Sequence, residues 1–262
     1  MREVEKKLQS KVKARLYMNA VLPAFEDLLE KSEDARTILG KRQFNLSFRT
    51  TSGLRSTLVF KNGTCTFTKL KKTERHILIH FFTEEQLNRE FENEGFRLPI
   101  PIMGGTRVGD IKAFKALSAL LEKCLRPNDE ALEDEDFYQF HVALQLGIAL
   151  RAAIELTAHE PISKKIMQQT PEGLAYFSVG LEGYGAWLDL VEGRLTSGKG
   201  APDRKPDVTV VFKDPKTALQ AVGNRIDVMA ALGLGDIQVS GLVPLADSLG
   251  YVFERIPLYI TP

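Results

Sequence analysis

The sequence predicts a mixed α/β chain of the α+β type, built as two tandem copies of one strand-and-helix unit. Three observations lead there. Ile77-Leu78-Ile79-His80-Phe81 followed by TEEQLNREF matches Val208-Thr209-Val210-Val211-Phe212 followed by KDPKTALQAV, an alternating strand running into a short amphipathic helix each time. Further on, each copy presents a glycine (Gly109, Gly241) and then a helix. Its apolar positions are Ile111, Phe114, Leu117, Leu120, Leu121 and Cys124 in one copy, and Val243, Ala246, Leu249, Val252, Phe253 and Ile256 in the other. Each half also opens with a long helix (3–31, 136–158) and a short one (33–39, 161–168) before its extended segments. Order and spacing repeated over this much chain are harder to imitate than a single motif.

The elements follow in order. Val4, Leu8, Val12 and Leu16 recur every four positions in the basic N-terminal stretch, which reads as an amphipathic helix with a solvated face. Phe44, Leu46 and Phe48 share one parity, as do Leu54, Leu58 and Phe60. Asn62-Gly63 then turns the chain into Cys65 and Phe67, so an antiparallel meander with one buried face is expected. Thr83 is the expected N-cap of helix 84–93, with Gln86 at the capping-box position. The polar, acidic run RPNDEALEDED is read as the interdomain linker, with Asp134 or Asp136 capping the next helix. This sets the units at 1–126 and 136–262, with 127–135 between them.

Helix 137–158 is apolar almost all round and is expected to be buried on several sides. In the second unit Ala175, Phe177, Val179 and Leu181 alternate, then Ala186, Leu188 and Leu190. Residues 197–206 read as a polar loop, 208–212 as a strand and 236–240 as a further short strand.

Composition narrows the function. A formal charge of +1 over 262 residues gives no global electrostatic case for nucleic acid. No apolar run approaches the ~20 residues a membrane span needs, and the N-terminus lacks a signal-peptide pattern. Cys65 and Cys124 have no counterpart in the second copy and read as small buried hydrophobes in a reducing compartment. A cytoplasmic chain is expected.

Chemistry-bearing motifs are scarce. Residues 233–241 lack the G-x-G-x-x-G order and precede a strand instead of following one. SGKGAPDRK lacks P-loop spacing, and no G-x-S-x-G elbow occurs. His76 and His80 lie about 13 Å apart along one strand face, too far to chelate one ion. None of the four histidines repeats between copies. No metal site, cofactor or catalytic residue is therefore assigned.

What repeats is apolar, glycine-punctuated chain. It comprises Val222, Ile226, Val228, Met229, Leu232 and Leu234 with Gly223, Gly233 and Gly235 in the second copy. Its counterpart is Phe91, Phe96, Leu98, Ile100, Ile102 and Met103 with Gly104 and Gly105 in the first. Such chain lies either on the domain's own core or on a cavity for a lipid-like ligand.

The run PDVTVVFKDPKTALQAVGNRIDVMAALGLGDIQVSGLVPLADSLGYVF resembles the sterol carrier protein type-2 family of lipid-binding domains. Val208, Val210, Asp214 and Leu219 fit its strand-to-helix part, and Ile237, Val239 and Gly241 its last strand. Leu242 stands where the family usually has an acidic residue. The first copy is a fainter match through Val108-Gly109-Asp110.

The resemblance implies units with a roughly five-stranded, mostly antiparallel sheet, helices over one face and an apolar cavity between them. It also implies binding of sterols, fatty acids, phospholipids or fatty-acyl coenzyme A without catalysis. On this reading the second unit holds the main cavity, lined by Phe177, Leu188, Phe212, Val222, Met229, Leu232, Leu234 and Leu249. Arg225 or Lys216 would stand at its mouth for an anionic head. Phe91 and Phe96 mark the first unit as the filled one. The partner expected is a lipid-like small molecule, with no nucleic acid, no membrane span and at most transient membrane contact. Two alternatives stand beside this: an interaction module with solid cores, and an acyl-chain enzyme using Asp110, Asp236 or His141 as acid or base.

Overall fold

A computed structural model describes residues 2–70, 76–92, 104, 106–180 and 184–260. Within it the chain forms two compact units, Met1–Pro127 and Asn128–Pro262. Of the apolar segment in the first copy, Phe96, Leu98, Ile100, Ile102, Met103 and Gly105 lie outside the described residues, as does Leu181.

The first unit opens with α1 (Arg2–Leu16), which passes through a π turn (Tyr17–Val21) and, after Pro23, into α2 (Ala24–Lys31). One continuous helix was expected over 3–31. Two local causes divide it. Pro23 supplies no backbone N–H, and the π turn carries Asn19 into the core, where its Oδ1 accepts a hydrogen bond from Ser56 Oγ at 2.8 Å. Ser32 caps α3 (Glu33–Leu39), its side chain accepting from Ala35 N at 3.1 Å.

The sheet follows: β1 (Phe44–Thr50), β2 (Arg55–Lys61), β3 (Thr64–Thr68) and β4 (His76–Phe81), in the order β3-β2-β1-β4. β1 to β3 form the expected antiparallel meander, while β4 runs parallel to β1. Asn62 and Gly63 make the hairpin turn with φ of 54° and 77°, the left-handed pair such a turn requires. In α4 (Glu84–Glu92), Thr83 Oγ1 accepts from Gln86 N at 3.1 Å. Gln86 Oε1 in turn accepts from Phe82 N at 2.9 Å, one residue earlier than a regular capping box. α5 (Val108–Leu125) closes the unit, burying Phe114, Leu117, Leu121 and Cys124.

The second unit begins inside the stretch expected to be linker. Residues 130–133 form a 3-10 turn, and Asp134 Oδ1 caps α6 (Glu135–His159) by accepting from Phe137 N at 2.8 Å. α6 is 25 residues long and, contrary to the expectation from sequence, apolar enough by length and composition to cross a membrane. Its apolar side chains are however buried, with 72% of its most apolar window inside the protein, as befits a core helix. α7 (Pro161–Gln168) follows, and then β5 (Gly173–Val179), β6 (Gly185–Val191), β7 (Arg194–Lys199), β8 (Val208–Phe212) and β9 (Ile237–Gly241), in the order β7-β6-β5-β8-β9.

The topology of the first sheet recurs, with β8 parallel to β5 and β9 added antiparallel at the edge. Residues 197–199, expected in a loop, complete β7. Their polar side chains hide the strand, whose pairing is made by the backbone against β6. Between β8 and β9 stand α8 (Pro215–Val222), the short amphipathic helix expected after the strand, and α9 (Val228–Leu234), where irregular chain was expected. α9 forms because Asp227 Oδ1 accepts from Met229 N and Ala230 N at 3.0 and 3.1 Å, and Gly235 ends it at φ 77°. α10 (Val243–Phe253) packs back on β5, β8 and β9.

The repeated glycine is relocated. A Cβ on Gly241 (φ 102°) would strike the Asp207 carbonyl and Val208 Cα. The residue in the first unit with the same environment is Gly104 (φ 84°), whose Cβ would strike the His76 carbonyl and Ile77 Cα. His76-Ile77 and Asp207-Val208 occupy equivalent places at the start of the parallel strand. Gly109, the expected partner of Gly241, has open space around it inside α5. Chain spacing to the next helix pointed to Gly109; close backbone approach identifies Gly104.

Candidate functional site

In the second unit β5, β6 and β8 turn one set of side chains toward α6 and α10: Ala175 and Phe177, Ala186 and Leu188, Val208, Val210 and Phe212. Phe177, Leu188, Phe212 and Leu249 are all buried here. Phe177 meets Phe253 of α10 edge-on at a 5.6 Å centroid distance. Four of the expected lining residues are thus buried in this unit. Val222 at the end of α8 and Leu232 within α9 are half-buried.

Met229 and Leu234 depart from the expectation of a lining role, at 76% and 78% exposed. The reason is geometric. α9 is short and turns Ala231 to the core, so Met229 and Leu234 fall on its outer face with Val228. Arg225 and Lys216, expected at a mouth, are both exposed near α8.

The strand registers allow the two units to be compared position by position. Leu46 pairs with Ile77 as Ala175 pairs with Val208, and Phe44 pairs with Phe60 as Gly173 pairs with Leu190. The inward layer of the first unit therefore carries Phe44, Leu46, Ile77 and Ile79 where the second carries Gly173, Ala175, Val208 and Val210. Phe48/Phe177, Leu58/Leu188 and Phe81/Phe212 are alike. In the first unit Phe25, Phe44, Phe48, Phe60 and Phe114 form one aromatic cluster, with centroid distances from 4.7 to 6.4 Å. Phe91 packs beside it, stacked on Tyr17 at 4.9 Å. Interiors pack densely, so a layer of smaller side chains must be filled from elsewhere. At Gly173 the filling is visible: Leu245 and the Asp207 side chain occupy the space of the missing Cβ.

Each acid–base candidate has its own setting. Asp110 belongs to the first unit and is held by Arg107, whose Nε donates to its Oδ2 at 2.7 Å. Asp236 is ion-paired with Lys213 at 3.1 Å, and His141 is buried on α6. His80 Nε2 lies 3.1 Å from Thr51 Oγ1, and His159 Nε2 lies 3.7 Å from Glu155 Oε2. Among the described residues no group of three or more His, Cys, Asp or Glu is placed to hold a metal ion. Burial pushes the Cys65 thiol well up and the Cys124 thiol to about 11, which leaves both unreactive near neutrality.

One anchoring cluster was not read from sequence. Glu160 caps α7, its Oε2 accepting from Ser163 N at 2.6 Å, and it takes both Nε and a terminal nitrogen of Arg255 at 3.0 and 2.8 Å. Burial acts to raise this carboxyl, but Arg255 and the Ser163 N–H outweigh it and hold it below the ordinary range. The bridge ties the start of α7 to the end of α10, the helix over the apolar layer. Glu-Pro at a helix start was its one local signal; Arg255 lies too far along the chain to be paired by eye.

Solved structures similar to this chain include the sterol carrier protein domain 2 of Helicoverpa armigera, at 16% identity and a TM-score of 0.35, covering 45% of this chain and 92% of that one. A UbiJ-SCP2 ubiquinone synthesis protein is similar at 15% identity and a TM-score of 0.35, covering 42% and 93%. Palmitated SCP2L2 from Aedes aegypti is similar at 25% identity and a TM-score of 0.28, covering 37% and 92%. No protein-family model and no curated protein sequence matches the chain.

Proposed function

We propose that this chain binds a long apolar ligand, such as a fatty acid, fatty-acyl coenzyme A, phospholipid or sterol-like molecule, in its second unit, and does so without catalysis. The observation that carries the proposal is the layer of Ala175, Val208 and Val210 under α10, where the first unit places Leu46, Ile77 and Ile79. The same topology is packed with large side chains in one unit and smaller ones in the other. If the layer opens, space at the centre of the sheet would favour an apolar guest, because burying apolar surface is worth about 25 cal/mol per Å2. α9 is a lightly held element of the same unit: Asp227 caps it, and Ala231 is its one buried side chain. The resemblance of residues 206–253 to sterol carrier domains points the same way.

The test exchanges the layer. Ala175→Leu with Val208→Ile and Val210→Ile installs the side chains of the first unit in the second. If a ligand occupies the layer, the triple variant folds, keeps its thermal stability and loses binding of a fluorescent fatty acid. If the layer is already filled, the added methylenes overpack it, cost about 1–3 kcal/mol, and leave no binding to lose.

A second reading, a protein-interaction module with filled cores, draws on the exposed apolar face of Val228, Met229 and Leu234. It predicts that Met229→Asp abolishes partner capture while the triple variant merely melts earlier.

A further inference from the structure

We propose that the second unit pairs with a second copy of this chain through the outer edge of β9, forming a two-fold dimer. β9 ends its sheet and is bonded to β8 alone. Lys213 N donates to the Asp236 carbonyl at 2.9 Å and Leu242 N to the Asp207 carbonyl at 2.8 Å, which fixes the phase of the ladder. By antiparallel alternation Gln238 and Ser240 also bond to β8, while Val239 and Gly241 turn their N–H and C=O groups away from it. Among the described residues nothing takes those outward groups. Ser240 and Gly241 are exposed and Val239 is half-buried, so this part of the edge is reachable.

An edge strand is a template for pairing, and folded proteins usually blunt it with a charge, a proline, a bulge or a covering group. In the first unit the N–H of Phe67, on edge strand β3, donates to Glu26 Oε1 at 2.6 Å. At the other edge of the second sheet, β7 begins with Arg194 and ends with Lys199. β9 has no such device. From Ile237 to Gly241 it holds no charge and no proline, and it matches β8 residue for residue without a bulge.

The flanks of the strand select a second copy over a foreign peptide. Leu234, just before β9, is 78% exposed, and Val243, just after it, is 53% exposed. Two copies of β9 laid antiparallel bring the end of one strand to the start of the other. Each exposed Val243 then comes to the end that carries the other copy's exposed Leu234, and symmetry makes the match twice. With the two-fold at Ser240, Val239 lies opposite Gly241 of the second copy and the pair exchanges both its backbone bonds. Gly241 has no side chain to crowd Val239, and Ser240 faces itself on the polar side of the sheet that Gln238 shares. A five-residue strand with two apolar flanks makes a small interface, so the dimer is a weak, reversible one.

Pairing at this edge is independent of whether the second unit holds an apolar ligand. Sedimentation velocity of the full chain, from micromolar to near-millimolar concentration, is expected to show a monomer–dimer equilibrium. Amide exchange at Val239 and Gly241 is expected to slow as the concentration rises. Val239→Pro removes an N–H that β8 does not use, a change an edge strand tolerates, and is expected to abolish the dimer while the monomer stays folded.

Ser240 supplies a second arm that leaves the backbone intact. Ser240→Lys and Ser240→Asp each set like charges opposite one another across the two-fold, and each is expected to weaken the dimer about fivefold. Mixing the two variants is expected to restore association, because only a self-facing position turns repulsion into attraction. A folded wild-type chain that stays monomeric at every concentration overturns the proposal. So does a dimer that forms equally well with Ser240→Lys and Ser240→Asp alone, or one whose formation leaves exchange at Val239 and Gly241 unchanged.

Discussion

Glu160 shows how much one side chain can carry in this chain. It caps α7, neutralises Arg255 and fastens the helix that covers the apolar layer. Glu160→Ala removes the cap and leaves a half-buried guanidinium without its partner, so a loss of about 2–4 kcal/mol is expected in chemical denaturation. Because the folded carboxyl titrates below its ordinary value, the contribution is fully present above pH 4.5 and is lost as pH falls from there through the lower folded value. Acid titration of the wild type and of Glu160→Gln, followed by circular dichroism, checks this: the wild type's advantage should shrink below that pH. Gly241→Ala and Gly104→Ala are expected to destabilise alike, since each Cβ meets backbone that cannot yield and each φ is left-handed. Gly109→Ala should be neutral or mildly stabilising in thermal melts, being helical and unobstructed.

At the scale of elements, what could be read from sequence depended on whether a segment's order is written in its side chains. The alternation of Phe44, Leu46 and Phe48, the Asn62-Gly63 turn and the Thr83 cap are local signals, and the elements formed as expected. β7 escaped because Thr196-Ser197-Gly198-Lys199 has no apolar alternation and is held by backbone pairing with β6. The outer face of the same sheet shows why glycines stand there: the Trp187 ring lies over Gly198 and Tyr176 over Gly185, where a Cβ would collide with each ring.

Met229 and Leu234 misled for the opposite reason. Apolarity predicts burial on average, but α9 is apolar all round and a helix packed on one side turns only one face inward. Asp227→Ala removes the cap of that helix and is expected to raise amide exchange in 228–234 well before it lowers global stability.

For the whole molecule, a net charge of +1 and a shortage of catalytic motifs had pointed away from chemistry and toward apolar binding. The two units share a sheet order in which the first and fourth strands run parallel. They differ in what fills the layer beneath the helices: a phenylalanine cluster in the first, smaller side chains in the second. On the proposed reading a division of labour follows from that contrast, with the second unit as the container and the first as a solid body. The most direct test is native mass spectrometry of gently purified full-length chain beside the Ala175→Leu, Val208→Ile, Val210→Ile variant. One lipid-like adduct per wild-type chain and none on the folded variant is the predicted result. A bare wild-type chain that also fails to bind added fluorescent fatty acid would contradict the account.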